Sequence, residues 1–198
     1  ACLVGSEMCI RDRGTDANGN PREIKDIVNK AAYGTVIICT DGTTFSCGST
    51  TWGGIGNGVT STPAYGELWN ITEYLGGVKF INASAEDCSI SLVDTDGNVW
   101  AFGFNTGQKY GKSGTVGETG YSTPSTTECI RYPLKVYDAK VYGKKAMRSY
   151  AALNNLIILC EDNTVYATGR NTNGMIDPTQ DTLANIYNPC LLYTSPSP

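Results

Sequence analysis

One short pattern returns three times along this chain: an apolar run, a polar turn, an aromatic residue, a glycine, and then a second turn of small residues. Anchored on Gly48, Gly103 and Gly169, the copies align Gly42, Gly97 and Asn163 six residues before, and Phe45, Trp100 and Tyr166 three before. The register also holds downstream, with Thr50, Asn105 and Asn171 two residues on, Ile55, Tyr110 and Ile176 seven on, and Gly56, Gly111 and Asp177 eight on. A chain written this way folds as stacked copies of one small unit, because no single copy can bury both of its faces alone.

Each copy reads as β structure. In "SISLVDTDGNVWAFGF" two runs rich in β-branched and aromatic residues flank the turn "DTDGN", the sequence form of a hairpin. "TVIICTDGTTFSCG" and "NLIILCEDNTVYATG" repeat it, the latter with Asn163 in the glycine place, which Asn fills because it tolerates a left-handed backbone. A further strand is expected before each hairpin, in "IKDIVNKAA", "GVKFINASA" and "KKAMRSYAA". The anchors lie 55 and then 66 residues apart, a spacing of one propeller blade per repeat. The expected fold is all-β: a partial β-propeller of about three four-stranded antiparallel blades, with cores near residues 24–58, 78–114 and 144–177. No long stretch carries a helical period.

The order of apolar strand, Asp-Gly turn, aromatic, glycine and asparagine, closing in Gly-x-Ile-Gly, is similar to the repeat of the regulator of chromosome condensation family. "CGSTTWGGIGNG" fits that family's glycine-rich turn best, while "TGRNTNGMID" keeps the Asn and the first Gly only. The resemblance spans roughly residues 21–189 and implies blades of a seven-bladed propeller. That family usually carries a His shortly before the second strand. This chain has no His, and Cys88 stands there in the second copy.

The two ends follow a different logic. "LVGSEMCIRDR" at 3–13 and "CLLYTSPSP" at 190–198 read as translations of one sequencing-library adapter on its two strands: the codons TGT CTC TTA TAC ACA TCT give Cys190 to Ser195, and their reverse complement, in another frame, gives the Met8–Asp12 run. Residues 1–13 and 190–198 are therefore expected to be foreign to the fold, and the repeat domain to occupy residues 14–189 as an interior fragment of a longer frame from environmental or bulk sequencing.

Excluding the tags removes Cys2, Cys9 and Cys190 and leaves five of the eight cysteines. With no CxxC and no Cys/His cluster, no metal site is expected, and Cys39 and Cys160 read as small buried apolar side chains. The formal charge of −4, with 17% charged residues, offers no footprint for nucleic-acid phosphate. No run is long enough to span a membrane. "GQKYGKSGT" lacks the glycine that a phosphate-binding loop needs at Thr106, and "DTDGN" lacks the closing acid of a calcium loop. "NIT" at 70–72 and "NAS" at 82–84 match the N-glycosylation tripeptide by chance in an Asn- and Thr-rich chain.

Without His, no Ser-His-Asp or Cys-His nucleophile can be assembled. Carboxylates such as Glu86, Asp87, Asp94, Asp96, Glu161 and Asp162 stand beside turns, where bonding to backbone is their usual role. No catalytic residue and no cofactor are therefore expected, and the chain reads as a non-enzyme.

What remains is a surface. The stretches that vary most between copies carry Tyr65, Trp69, Tyr74, Tyr121, Arg131, Tyr132 and Tyr137, residue types enriched at interface hot spots. They are the candidate partner-binding loops, and the expected partner is another protein. The family resemblance implies an interaction scaffold, or guanine-nucleotide exchange on a small GTPase. Low charge and abundant Gly, Thr, Asn and Tyr also suit an exported or virion surface protein.

Overall fold

A computed structural model of the chain describes residues 14–29, 34–50, 53–59, 65–86, 88–105, 109–111, 129–180 and 185–194. Within them lie three four-stranded antiparallel sheets, each a blade in chain order. Blade 1 holds β1 (Ile24–Asn29), β2 (Gly34–Cys39), β3 (Thr44–Gly48) and β4 (Tyr65–Asn70). Blade 2 holds β5 (Phe80–Glu86), β6 (Ser89–Asp94), β7 (Val99–Phe104) and β8 (Cys129–Tyr137). Blade 3 holds β9 (Ala146–Ala151), β10 (Asn155–Cys160), β11 (Val165–Arg170) and β12 (Asn185–Tyr193). One-turn helices, α1 (Ile71–Tyr74) and α2 (Ala139–Tyr142), lead from one blade to the next.

The repeat register is structural. The hairpin turns carry Gly42, Gly97 and Asn163 at φ of 78, 85 and 64°, so the Asn does adopt the left-handed conformation of its glycine counterparts. Gly103 lies opposite Ser89 at φ 94°, where an added Cβ would fall inside the Cys88 carbonyl oxygen. Gly169 meets the Asn154 carbonyl in the same way. That close strand approach accounts for the anchoring glycine.

The turn carboxylate of blade 2 is spent on its own hairpin. Asp94, 3% exposed, accepts bonds from Asp96 N–H, Asn98 N–H, Asn98 Nδ2 and Trp100 Nε1, all at 2.8–2.9 Å. Downstream, Asn105 closes the next turn, accepting from Tyr110 N–H at 2.8 Å and donating to the Gly111 carbonyl at 3.2 Å. Asn171 does the same in blade 3, accepting from Ile176 N–H at 2.9 Å. Gly111 is thus part of a propeller turn. Lys112 and Ser113 lie outside the described residues.

The core sits between blades. All six residues of β6 are buried, since blade 2 is covered on both faces. Trp100 and Tyr166 join the continuous cluster with Val36, Ile38, Leu92, Ile158 and Cys160, whereas Phe45, more deeply buried, stands outside it. Polar ties cross the same seams. Ser149 Oγ lies 2.9 Å from Ser91 Oγ, and Ser149 N–H donates to Asn82 Oδ1 at 3.3 Å, which commits the "NAS" asparagine to blade packing. Lys109, fully buried, donates to the carbonyls of Phe104 in blade 2 at 2.9 Å and Leu153 in blade 3 at 3.0 Å.

The fourth strands come from stretches that the sequence reading treats as variable loops. β12 also runs through the boundary set at 190: Ala167 pairs with Cys190, Tyr166 with Leu191 and Val165 with Tyr193. Leu191, Leu192 and Tyr193 are nonetheless 49, 44 and 52% exposed. An open sheet edge presents backbone groups that any extended segment can pair with, so strand formation here does not require a side chain fitted to the core.

Candidate functional site

Blade 1 leaves its outer strand β4 through Asn70, whose side chain caps α1 by accepting from Glu73 N–H at 3.1 Å. Ile71 is fully buried, and Thr72 Oγ1 accepts from Thr44 N–H at 3.0 Å, so this single turn is pinned to β3. Tyr74 then projects outward. On blade 2, β8 presents Tyr132 alongside it, with ring centroids 5.7 Å apart and planes 16° from parallel. Trp69 adds a third ring 5.6 Å from Tyr74, tilted by 47°.

The loop after β3 sets the other side of Tyr132. Gly58 N–H donates to the Arg131 carbonyl at 3.0 Å, and at φ 76° an added Cβ would overlap the Tyr132 phenol. The glycine-rich turn of blade 1 therefore lies flat on blade 2. Tyr74 and Tyr132 remain 46 and 50% exposed, which is high for rings in mutual contact. A groove of about 380 Å³ runs beside them, lined by Leu68, Trp69, Asn70, Glu73 and Tyr74. Trp69 Nε1 is buried at this site with no hydrogen-bond partner. The arrangement can stack on a flat or apolar group beside the exposed Glu73 carboxylate, a combination suited to recognition.

The seven candidate residues separate accordingly. Trp69, Tyr74 and Tyr132 converge, and Arg131 is half-buried next to Tyr132. Tyr65 pairs with Gly48 at the start of β4, and Tyr121 lies outside the described residues. Among the described candidates, all but Tyr74 stand on outer strands and not in loops. Tyr137 is corrected outright as a surface residue: it is fully buried. Its hydroxyl donates to the Lys144 carbonyl at 2.8 Å, and its ring stacks on Tyr142 at 4.5 Å. Burial pushes the Tyr137 phenol and the Cys160 thiol above their usual ranges, so neither is primed for chemistry. Sequence reasoning missed Glu73, Asn70 and Gly58; the cap spacing Asn70–Glu73 was the available signal for the first two.

Among the described residues, no group of three or more His, Cys, Asp or Glu is placed to hold a metal ion. The only helices described are too short to cross a membrane.

The fold and its register define three successive four-stranded blades of a partial β-propeller, similar in fold to solved propellers of the regulator of chromosome condensation type. The likeness shows in solved structures. Prp20p from Saccharomyces cerevisiae superposes with a TM-score of 0.66 at 13% identity, over 88% of this chain and 39% of its own. Human WBSCR16 superposes with a TM-score of 0.64 at 14% identity, over 85% of this chain and 37% of its own. This chain thus spans under two fifths of either neighbour. No protein-family model and no curated protein matches the sequence.

Proposed function

We propose that the chain is a non-catalytic protein–protein interaction scaffold that engages its partner through the Trp69–Tyr74–Tyr132 surface. The observation that carries this reading is the exposed Tyr74–Tyr132 stack built across two blades. Aromatic side chains give large contact area at little entropic cost, and they dominate hot spots. The fold neighbour Prp20p, whose structure was determined together with its binding to Gsp1p and histones, supports a protein partner. The formal charge of −4 speaks against a nucleic-acid partner.

Displayed peptides selected on the full chain provide the test. Selected ligands should lose about tenfold or more in affinity for a Tyr74→Ser/Tyr132→Ser variant, a hot-spot-sized effect. A selection that yields no ligands, or only ligands indifferent to both substitutions, would refute the reading. Guanine-nucleotide exchange, implied by the sequence resemblance, is separable from it. It requires accelerated release of labelled GDP from a small GTPase, insensitive to the aromatic substitutions unless the same surface is used.

A further inference from the structure

The groove beside the Tyr74–Tyr132 stack carries a charge as well as a shape. Glu73 and Tyr74 are adjacent on α1, both are exposed, and both line the groove. Asn70 Nδ2 donates to Glu73 Oε2 at 3.2 Å, which holds the carboxylate at the groove wall. Among the described residues, Asp41, Asp138 and Asp162 each pair with a lysine or arginine, whereas Glu73 has no ion-pair partner. Arg131, which precedes Tyr132 on β8, is half-buried and makes no ion pair with it.

The chain fills the equivalent place in the next blade from its own residues. Tyr142 ends α2 as Tyr74 ends α1. Tyr142 is half-buried, with the Tyr137 ring at 4.5 Å and the Tyr166 ring at 5.3 Å, while Tyr74, also with two ring neighbours, is 46% exposed. The openness of Tyr74 is thus set by its surroundings and not by its place on the helix. Lys135 supplies an internal precedent for what joins a ring to a carboxylate. Its Nζ lies 5.3 Å from the Trp100 ring centroid and 3.4 Å from Asp138 Oδ2, so one cation serves both.

The walls of the groove decide which cation suits it. A lysine ammonium is compact and strongly hydrated, whereas a guanidinium is planar, more weakly hydrated, stacks on rings and meets a carboxylate through two parallel donors. The net charge of −4 favours the approach of a basic segment. Resting on the reading of this surface as the partner-binding site, we infer that the groove takes an arginine side chain from a basic segment of the partner protein. The guanidinium lies against the Tyr74 ring and donates to the Glu73 carboxylate, and the aliphatic stem runs along Leu68 and Trp69.

Peptides selected on the full chain, resynthesised with each arginine replaced in turn by lysine or by planar, uncharged citrulline, test this by titration calorimetry. One arginine should stand out, with citrulline in its place weakening binding about three- to tenfold and lysine by less, the effect of an exposed ring contact plus an exposed ion pair. Glu73→Gln retains an amide oxygen for Asn70 and should reduce the advantage of that arginine over citrulline by about threefold, the share of the ion pair. Circular dichroism establishes that the variant is folded. Ligands that depend on Tyr74 and Tyr132 but carry no such arginine, or are indifferent to Glu73→Gln, would overturn the inference while leaving the aromatic surface as the binding site. Ligands indifferent to both tyrosines, or a selection that yields none, would overturn the two together.

Discussion

Trp100 ties the turn, the blade and the seam together, and its truncation separates their contributions. The ring is 8% exposed within the shared core, and its Nε1 donates to Asp94 at 2.8 Å. Lys135 Nζ lies 5.3 Å from the ring centroid. Trp100→Ala removes the ring volume between blades and should cost about 3–5 kcal/mol. Trp100→Phe keeps most of the packing and removes one of four bonds to the Asp94 carboxylate. Since three donors remain on Asp94, that change should cost only about 1–2 kcal/mol. In a chain of this length each kcal/mol moves the melting temperature by about 2–4 °C, so the alanine variant should melt about 6–20 °C lower. Urea unfolding followed by far-UV circular dichroism reads both variants without relying on tryptophan emission. If alanine cost less than about 1 kcal/mol, the seam would not be the core. If Phe cost as much as Ala, the carboxylate bond and not the ring would carry the position.

Gly103→Ala should destabilise by about 3 kcal/mol or more, since its Cβ meets the Cys88 carbonyl, whereas Gly76→Ala, open to solvent at φ 69°, should cost only about 1 kcal/mol; equal losses in thermal melts would remove the close-approach argument. Burial pushes the Asp41 carboxyl up, but the Thr43 N–H and hydroxyl, Arg22 and Lys79 outweigh it and hold the pKa at about 2 against an ordinary 3.8. A depressed folded-state pKa contributes stability above the ordinary value and loses it as pH falls toward 2, so Asp41→Asn should flatten the stability curve between about pH 4 and 2; an unchanged acid limb would contradict this. Deleting residues 191–198 should change unfolding free energy by no more than about 0.5–1 kcal/mol, because Leu191, Leu192 and Tyr193 are about half exposed. A loss of several kcal/mol would show that this segment is integral to blade 3.

The inner three strands of every blade and their turns were legible in the sequence because they are set locally. Alternation of apolar residues, a left-handed turn at 42, 97 and 163, and a glycine where strands cross closely are properties of short segments, and three copies made the register unambiguous. The outer strands were not legible. β4, β8 and β12 pair at a sheet edge after connections of different length, and their register is fixed by the strand already waiting there, with a shift in each of the three pairings. The candidate surface shows the same division. That Trp69, Tyr74 and Tyr132 are large aromatic residues in variable stretches is a sequence fact. Their convergence is decided by stacking of blades 1 and 2, which brings position 132 beside position 74. Tyr137, five residues further along the same strand, has the same composition and the opposite fate: it turns into the seam, where the Lys144 carbonyl and the rings of Tyr142 and Tyr166 receive it. Residue type determined what these side chains could do, and the odd step along a twisted edge strand, between blades placed by the whole fold, decided which of them meet solvent.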